Sequence, residues 1–155
     1  MSRNVDYELA AAQLSALTEG IPYETANLAN ASALIWQTLP EINWAGFYKM
    51  TDGALVLGPF QGKTACIRIP VGKGVCGTAV AEDKTQLVYD VHLFPGHIAC
   101  DGASNSEIVL PVHVNGQIWG VLDIDSPVVG RFDETDAEGL SLLVRVIETF
   151  LAGAQ

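Results

Sequence analysis

Between Trp44 and Asp125 the chain drops the helical spacing of apolar residues that governs both of its ends. That change of period narrows the available folds more than any other feature. Ahead of it, Ala10, Leu14, Leu17 and Ile21 keep the i, i+4, i+7, i+11 rhythm of one helix face. Pro22 is expected to open a second helix at its first position, with the stripe Leu28, Ala31, Ile35 and Leu39 and a stop at Pro40. Inside the interval, β-rich runs are predicted at 44–50, 54–57, 65–69, 86–89, 106–114 and 117–125, separated by Gly, Pro and Asp turns. After it, Leu140, Leu143, Val144, Ile147 and Leu151 restore the helical spacing, with Asp133 placed as the cap. Helices that bracket hairpin-connected strands predict an α+β domain. Its central antiparallel sheet has about six strands, and the N-terminal and C-terminal helices pack on one side.

The 155 residues are 49% apolar and 17% charged, too apolar for a disordered chain. One domain over 1–155 with no linker is expected, since single domains usually hold about 100–200 residues. With 8 Lys+Arg against 18 Asp+Glu the net charge is −10. That balance argues against nucleic acid and anionic membrane as partners, because phosphate contacts need clustered cations. Residues 1–8 carry acids where a secretory signal needs an apolar core, and no run of about 18 apolar residues could span a bilayer. Three cysteines, Cys66, Cys76 and Cys100, are too few and too odd a number for a secreted disulfide framework. A cytoplasmic address is expected, with cysteines that start reduced and are available for thiol chemistry.

The last hairpin can be read residue by residue. In 106–114 the even positions Ile108, Leu110, Val112 and Val114 are aliphatic, and in 117–125 the even positions are Ile118, Gly120, Leu122 and Ile124. A two-residue Asn115-Gly116 loop would pair Val114 with Gln117 and put Asp123 on the face of Ile108 and Leu110. A three-residue loop with Gly116 left-handed pairs His113 with Gln117 instead. That second register makes one face aliphatic and sets Glu107 opposite Asp123, with Asp125 alongside and Trp119, Val121 and Val109 on the same face. A one-residue slip flips every side chain, so the cleaner pattern is expected to prevail. Three carboxylates on one sheet face would form either a solvated surface or the floor of a half-covered pocket.

Three motifs could carry chemistry. Gly72-Lys73-Gly74-Val75-Cys76-Gly77 fits G-x-G-x-x-G, and Asp90 closes the next strand. The motif follows a strand and opens a short helical stretch. Val75 to Thr85, however, is barely long enough for a helical crossover, which takes a dozen or more residues, and no strand–helix alternation follows. A tight backbone turn beside a pocket is therefore expected there, not a dinucleotide site. His92, His97 and Cys100, with Cys66 and Cys76 upstream, include no C-x₂-C pair. Although His92-x₄-His97 comes near a zinc spacing, without further context no metal is expected. Cys66, within 65–69, reads from its neighbours as a buried strand cysteine. Cys100, in the turn-rich loop from Phe94 to Gly102 and near His97, is the better reactive-thiol candidate.

These residues resemble the free methionine-(R)-sulfoxide reductase family of GAF-domain proteins over nearly the whole length. The resemblance lies in Trp44-Ala45-Gly46-Phe47-Tyr48, Leu57-Gly58-Pro59-Phe60-Gln61-Gly62-Lys63, Ile67-Arg68-Ile69-Pro70, the Gly72 to Gly77 turn and Asp90-Val91-His92. It continues through Phe94 to Asp101, Ser106-Glu107-Ile108-Val109-Leu110-Pro111 and Gly120-Val121-Leu122-Asp123-Ile124-Asp125-Ser126-Pro127. It implies a single GAF domain in which Cys100 is the catalytic cysteine, Cys66 the principal resolving one and Cys76 an auxiliary thiol. It further implies that Glu107, Asp123 and Asp125 are substrate-site acids and Trp44 an aromatic wall of the pocket. The implied substrate is free methionine-(R)-sulfoxide. No cofactor is bound, and an external dithiol reductant such as thioredoxin completes the cycle. Dimers are common in the family, and nothing in the sequence decides the oligomeric state.

The implied reaction follows from sulfur chemistry. A sulfoxide becomes electrophilic at sulfur once its oxygen is protonated or strongly hydrogen-bonded, and a thiolate can then attack it. Methionine leaves, Cys100 remains as sulfenic acid, and a neighbouring thiol condenses with it to a disulfide. The acids could hold the substrate ammonium or supply the proton, and the sequence does not divide those tasks. Carboxylates near Cys100 should also disfavour its thiolate, so activation is expected mainly in the substrate complex. The alternative is a non-catalytic GAF module that senses a small ligand or redox state. Such a sensor would be joined to an output domain, and none is expected in a chain that ends just after its last helix.

Overall fold

The computed structural model describes residues 4–96 and 102–154. Its elements run α1 (Tyr7–Thr18), α2 (Glu24–Thr38), β1 (Trp44–Thr51), β2 (Ala54–Gly62), β3 (Arg68–Pro70), α3 (Gly74–Glu82), β4 (Gln86–Val88), β5 (Ser106–Val114), β6 (Gln117–Ser126) and α4 (Glu134–Gly153). The six strands make one antiparallel sheet in the order β3-β2-β1-β6-β5-β4. The expected α+β architecture is the one observed. One face carries α1, α2 and α4 over a core that includes Leu14, Ile35, Phe47, Leu110, Leu122, Leu143 and Ile147. The opposite face holds a smaller cluster of Trp44, Tyr48, Leu55, Val109, Val121 and the α3 residues Val75, Cys76 and Ala79.

The helix ends follow local chemistry, with two departures from the expected pattern. Asp133 caps α4 in a reciprocal capping box with Asp136, as its position predicted. Pro22, however, lies ahead of the α2 N-cap Tyr23 and is not the first helical residue. The turn before α2 is closed by Asn27 Nδ2 donating to the Ile21 carbonyl at 2.9 Å. In α1 the buried stripe is Tyr7, Ala10, Leu14 and Thr18, so Leu17 is on the solvent side and Ile21 beyond the helix, both exposed. Thr18 can be buried because its hydroxyl donates to the Leu14 carbonyl. The helices are also tied to the chain ahead of the sheet through buried Arg131. Its Nε donates to the Pro40 carbonyl at 3.0 Å and its Nη1 faces Asp136 Oδ2 at 3.4 Å. Tyr7 donates its hydroxyl hydrogen to the other oxygen of Asp136.

The β5–β6 register departs from the expected one in an informative way. Asn115 and Gly116 have φ of 54° and 77°, a two-residue turn of the left-handed kind, and Val114 does pair with Gln117. The register then shifts by one between Val112 and His113. His113 pairs with Ile118 and Val112 with Gly120, leaving Trp119 as the extra residue of a β-bulge. The bulge restores the alternation that the turn alone would have broken. Ile108, Leu110, Leu122 and Ile124 enter the helix-side core, and Glu107 pairs with Asp125, not with Asp123. Trp119 leaves the acid face for the helix side, where it meets Phe47 edge-on at 6.3 Å. Gly120 permits this geometry, since a Cβ there would lie 2.1 Å from the Tyr48 carbonyl oxygen.

Candidate functional site

The face opposite the three long helices contains a cavity of about 50 Å³, lined by residues of β1, β6, β5, α3 and the segment before β3. Its floor is set by alternation along the central strands. Trp44 and Tyr48 point to it from β1, Glu107 from β5, and Asp123 and Asp125 from β6. Glu107 and Asp123 are buried, which is uncommon for carboxylates without partners. They share hydrogen bonds: Glu107 with both Asp123 and Asp125, and Cys76 with Asp123. Sequence alternation therefore placed all three acids on one face correctly, although the pairing it assigned between them was wrong.

The proton balance follows from the burial. Loss of solvent pushes the Glu107 carboxyl well above the usual carboxylate range, and the negative charge of Asp123 and Asp125 and the shared hydrogen bonds push it further. The buried Glu107 carboxyl is therefore held toward its protonated form. Burial likewise raises the Cys76 thiol, with Asp123, Glu107 and Asp125 adding to the effect. Cys76 is a protonated hydrogen-bonding group in this setting, not a ready nucleophile. Tyr48 is pushed above its ordinary value by burial and then by the same acids.

The aromatic wall is anchored at both ends. Trp44 stacks on Phe60 at 5.1 Å and lies 5.9 Å from the Tyr48 ring. Its Nε1 donates to the Lys63 carbonyl at 3.0 Å, and the Tyr48 hydroxyl donates to the Cys66 carbonyl at 2.8 Å. These bonds hold the segment carrying Cys66 against the sheet. Cys66 itself is half-buried, precedes β3 and is disulfide-bonded. The expectation of a core strand cysteine within 65–69 fails because β3 begins only at Arg68. Cys76 is the buried free cysteine instead. Cys100 and His97 lie outside the described residues.

The G-x-G-x-x-G motif forms the tight turn expected of it. Gly72 N donates to the Gly77 carbonyl at 2.8 Å, and a Cβ on Gly77 would meet the Pro70 carbonyl oxygen at 2.5 Å. The turn delivers Lys73, Gly74, Val75 and Cys76 to the cavity at the start of α3. A turn beside a pocket was expected at this motif, whereas Tyr48 and Ser104 were not named from the sequence. Alternation from Trp44 through Gly46 could have revealed Tyr48, whereas Ser104 reaches the site only through the fold. His92 stands apart from the acid trio in an exposed turn, bonded to Asp90 at 2.8 Å and holding that carboxyl below its ordinary range. Among the described residues, donor atoms of Cys76, Glu107 and Asp123 lie within 4.8 Å of one another. That spacing could take a divalent ion, but here hydrogen bonds already link the three groups.

The GAF domain family model matches residues 13–151. The chain is 62% identical over 138 residues to the free methionine-R-sulfoxide reductase of Escherichia coli, covering 89% of this chain and 84% of that protein. It is 49% identical over 139 residues to the free methionine-R-sulfoxide reductase of Saccharomyces cerevisiae, covering 84% and 77%. A solved structure of fRMsr from Staphylococcus aureus in complex with substrate aligns with a TM-score of 0.93 at 50% identity, covering 98% of this chain and 99% of that one. Among the described residues, no helix is long and apolar enough to cross a membrane.

Proposed function

Because this chain belongs to the GAF family and, within it, to the free methionine-R-sulfoxide reductases, we propose that it reduces free L-methionine-(R)-sulfoxide to methionine with thiol reducing power. The observation that carries this reading is the grouping of Glu107, Asp123 and Asp125, with the Glu107 carboxyl held well above its ordinary range, on the floor of an aromatic-walled cavity. Protonated Glu107 is suited to hydrogen-bond the sulfoxide oxygen and deliver the proton, and Asp123 and Asp125 are suited to receive the substrate ammonium. Trp44 forms the apolar wall for the thioether chain.

In this mechanism the Cys100 thiolate attacks the activated sulfur. The oxygen and the delivered proton pass to Cys100 as sulfenic acid, and methionine leaves. The thiol of Cys66 then displaces water from the sulfenic acid to give a disulfide. Engagement of Cys66 in a disulfide while Cys76 remains a free buried thiol supports Cys66 as the resolving cysteine. An external dithiol such as thioredoxin reopens the disulfide by exchange, and no bound cofactor is required. Acids that receive the ammonium of a free amino acid also discriminate against peptide-bound sulfoxide, whose acylated nitrogen carries no charge and leaves them unmet.

The test is methionine release from free L-methionine-(R)-sulfoxide with excess dithiothreitol, alongside the Cys100→Ser variant and an acetylated, amidated substrate. Multiple turnover that is lost in the variant and weak on the blocked substrate is expected. Turnover that survives Cys100→Ser would move the nucleophile to another cysteine. Absence of turnover by folded, reduced protein would overturn the enzyme reading.

A further inference from the structure

We infer that the sheet edge around Cys66 is a docking surface for a dithiol protein that presents an apolar, acidic face. The inference rests on the thiol cycle proposed above and concerns where its protein reductant binds. Charge distribution provides the first observation. The chain carries 18 acidic residues, yet none occurs between Asp52 and Glu82, and that same span holds Lys63, Arg68 and Lys73 among the chain's 8 Lys+Arg. Lys63 and Arg68 stand within three residues of Cys66 on either side, both exposed. Five residues of chain span at most about 18 Å, well inside the footprint of one protein partner. The exposed charges flanking Cys66 along the chain are therefore positive in a molecule of net charge −10.

The second observation is shape. β3 is the terminal strand of the sheet, paired to β2 on one side only. The Leu57 N–H to Ile67 carbonyl bond of 2.9 Å extends that pairing back toward Cys66. Ile67 is 72% exposed and Val71 42% exposed, one on either side of β3. Exposed aliphatic side chains flanked by cations fit an apolar partner face edged with acids, with charge setting encounter and partner choice. The bonds from Trp44 and Tyr48 to the Lys63 and Cys66 carbonyls hold this platform rigid. A more ordinary role for Lys63, Arg68 and Pro70 is to keep a short edge strand from pairing with other sheets. That role predicts no effect on reductant affinity.

In the docked complex one thiolate of the partner attacks the Cys66 sulfur, forming a mixed disulfide and releasing the other cysteine of the pair as thiolate. The partner's second thiol then attacks its own bound sulfur, freeing Cys66. The partner is oxidised by two electrons, and its two protons reach the released thiolates.

The test measures KM for a thioredoxin, recycled by its reductase and NADPH, in parallel with turnover driven by dithiothreitol. Lys63→Glu with Arg68→Glu is expected to raise KM for thioredoxin at least about fivefold while leaving dithiothreitol turnover unchanged. Ile67→Ser is expected to act in the same direction. Lys84→Glu with Arg145→Glu makes the same change of net charge elsewhere and is expected to leave KM unchanged. An unaltered thioredoxin KM in the Lys63/Arg68 variant, or an equal rise in the Lys84/Arg145 control, would overturn the docking surface. Absence of dithiothreitol turnover in the unsubstituted protein would instead remove the thiol cycle on which it depends.

Discussion

Glu107 lies directly across the β5–β6 ladder from Asp125, while Asp123, two residues earlier on β6, pairs with Val109. The pairing brings a buried carboxyl between two others at the centre of the sheet, where water cannot screen them. It is maintained by the bulge at Trp119, which corrects the parity set by the Asn115-Gly116 turn.

The first prediction concerns pH. Glu107 is raised by burial and by its acidic neighbours, so the folded protein keeps a proton that an unfolded glutamate loses near pH 4.3. Its contribution is fully present below that value and is lost as pH rises through the folded pKa. Between the two, folding stability falls by about 1.4 kcal/mol per pH unit from this group. Glu107→Gln is expected to flatten that slope and to gain on the unsubstituted protein as pH rises. Denaturant titrations from pH 5 to 8 measure it; parallel curves would show that the Glu107 carboxyl is not raised in the folded protein.

Cys76 is expected to resist alkylation. Its sulfur is buried and its thiol held protonated by burial and by Asp123, Glu107 and Asp125. Fully reduced, folded protein treated with iodoacetamide at pH 8 should show an unmodified Cys76 peptide by mass spectrometry, and guanidinium should expose it. Rapid labelling in the folded state would show that the thiol is open to solvent.

Gly120 should tolerate no side chain. A Cβ would sit 2.1 Å from the Tyr48 carbonyl oxygen and 2.9 Å from the Lys49 Cα, both backbone atoms that cannot move without parting β1 from β6. Gly120→Ala is expected to cost at least about 3 kcal/mol, at the upper end of overpacking losses. Equilibrium unfolding gives the value, and a change below about 1 kcal/mol would contradict this packing.

Asp136 is the partner of a buried arginine. Its removal strands the Arg131 guanidinium away from solvent, so Asp136→Ala is expected to cost about 3–5 kcal/mol. Tyr7→Phe removes a single hydrogen bond to the same carboxyl and should cost only about 1–2 kcal/mol. Equal losses in the two variants, read by urea denaturation, would rule out a charge-led role for Asp136.

The order of elements and the face of the acids were legible in the sequence because both follow from local rules. Apolar spacing separates helix from strand, and alternation alone put Ile108 and Leu110 opposite Glu107 in orientation. Trp44 was assigned by resemblance, and it lines the cavity. Local rules stop at a bulge. No pattern announces that Trp119 will be the extra residue, since the shift depends on Gly120 meeting β1 and on Trp119 finding Phe47 across the helix-side core.

The sequence by itself determined the period of each segment and the cap at Asp133, because each depends on residues close along the chain. Only the tertiary structure decided that Glu107 faces Asp125, that Cys76 is the buried thiol beside the acids, and that Cys66 precedes an edge strand with cations on both sides. Burial and charge at those positions come from strands and helices far apart in sequence. Their effect on a proton or a thiol exists only once water has been excluded from between them.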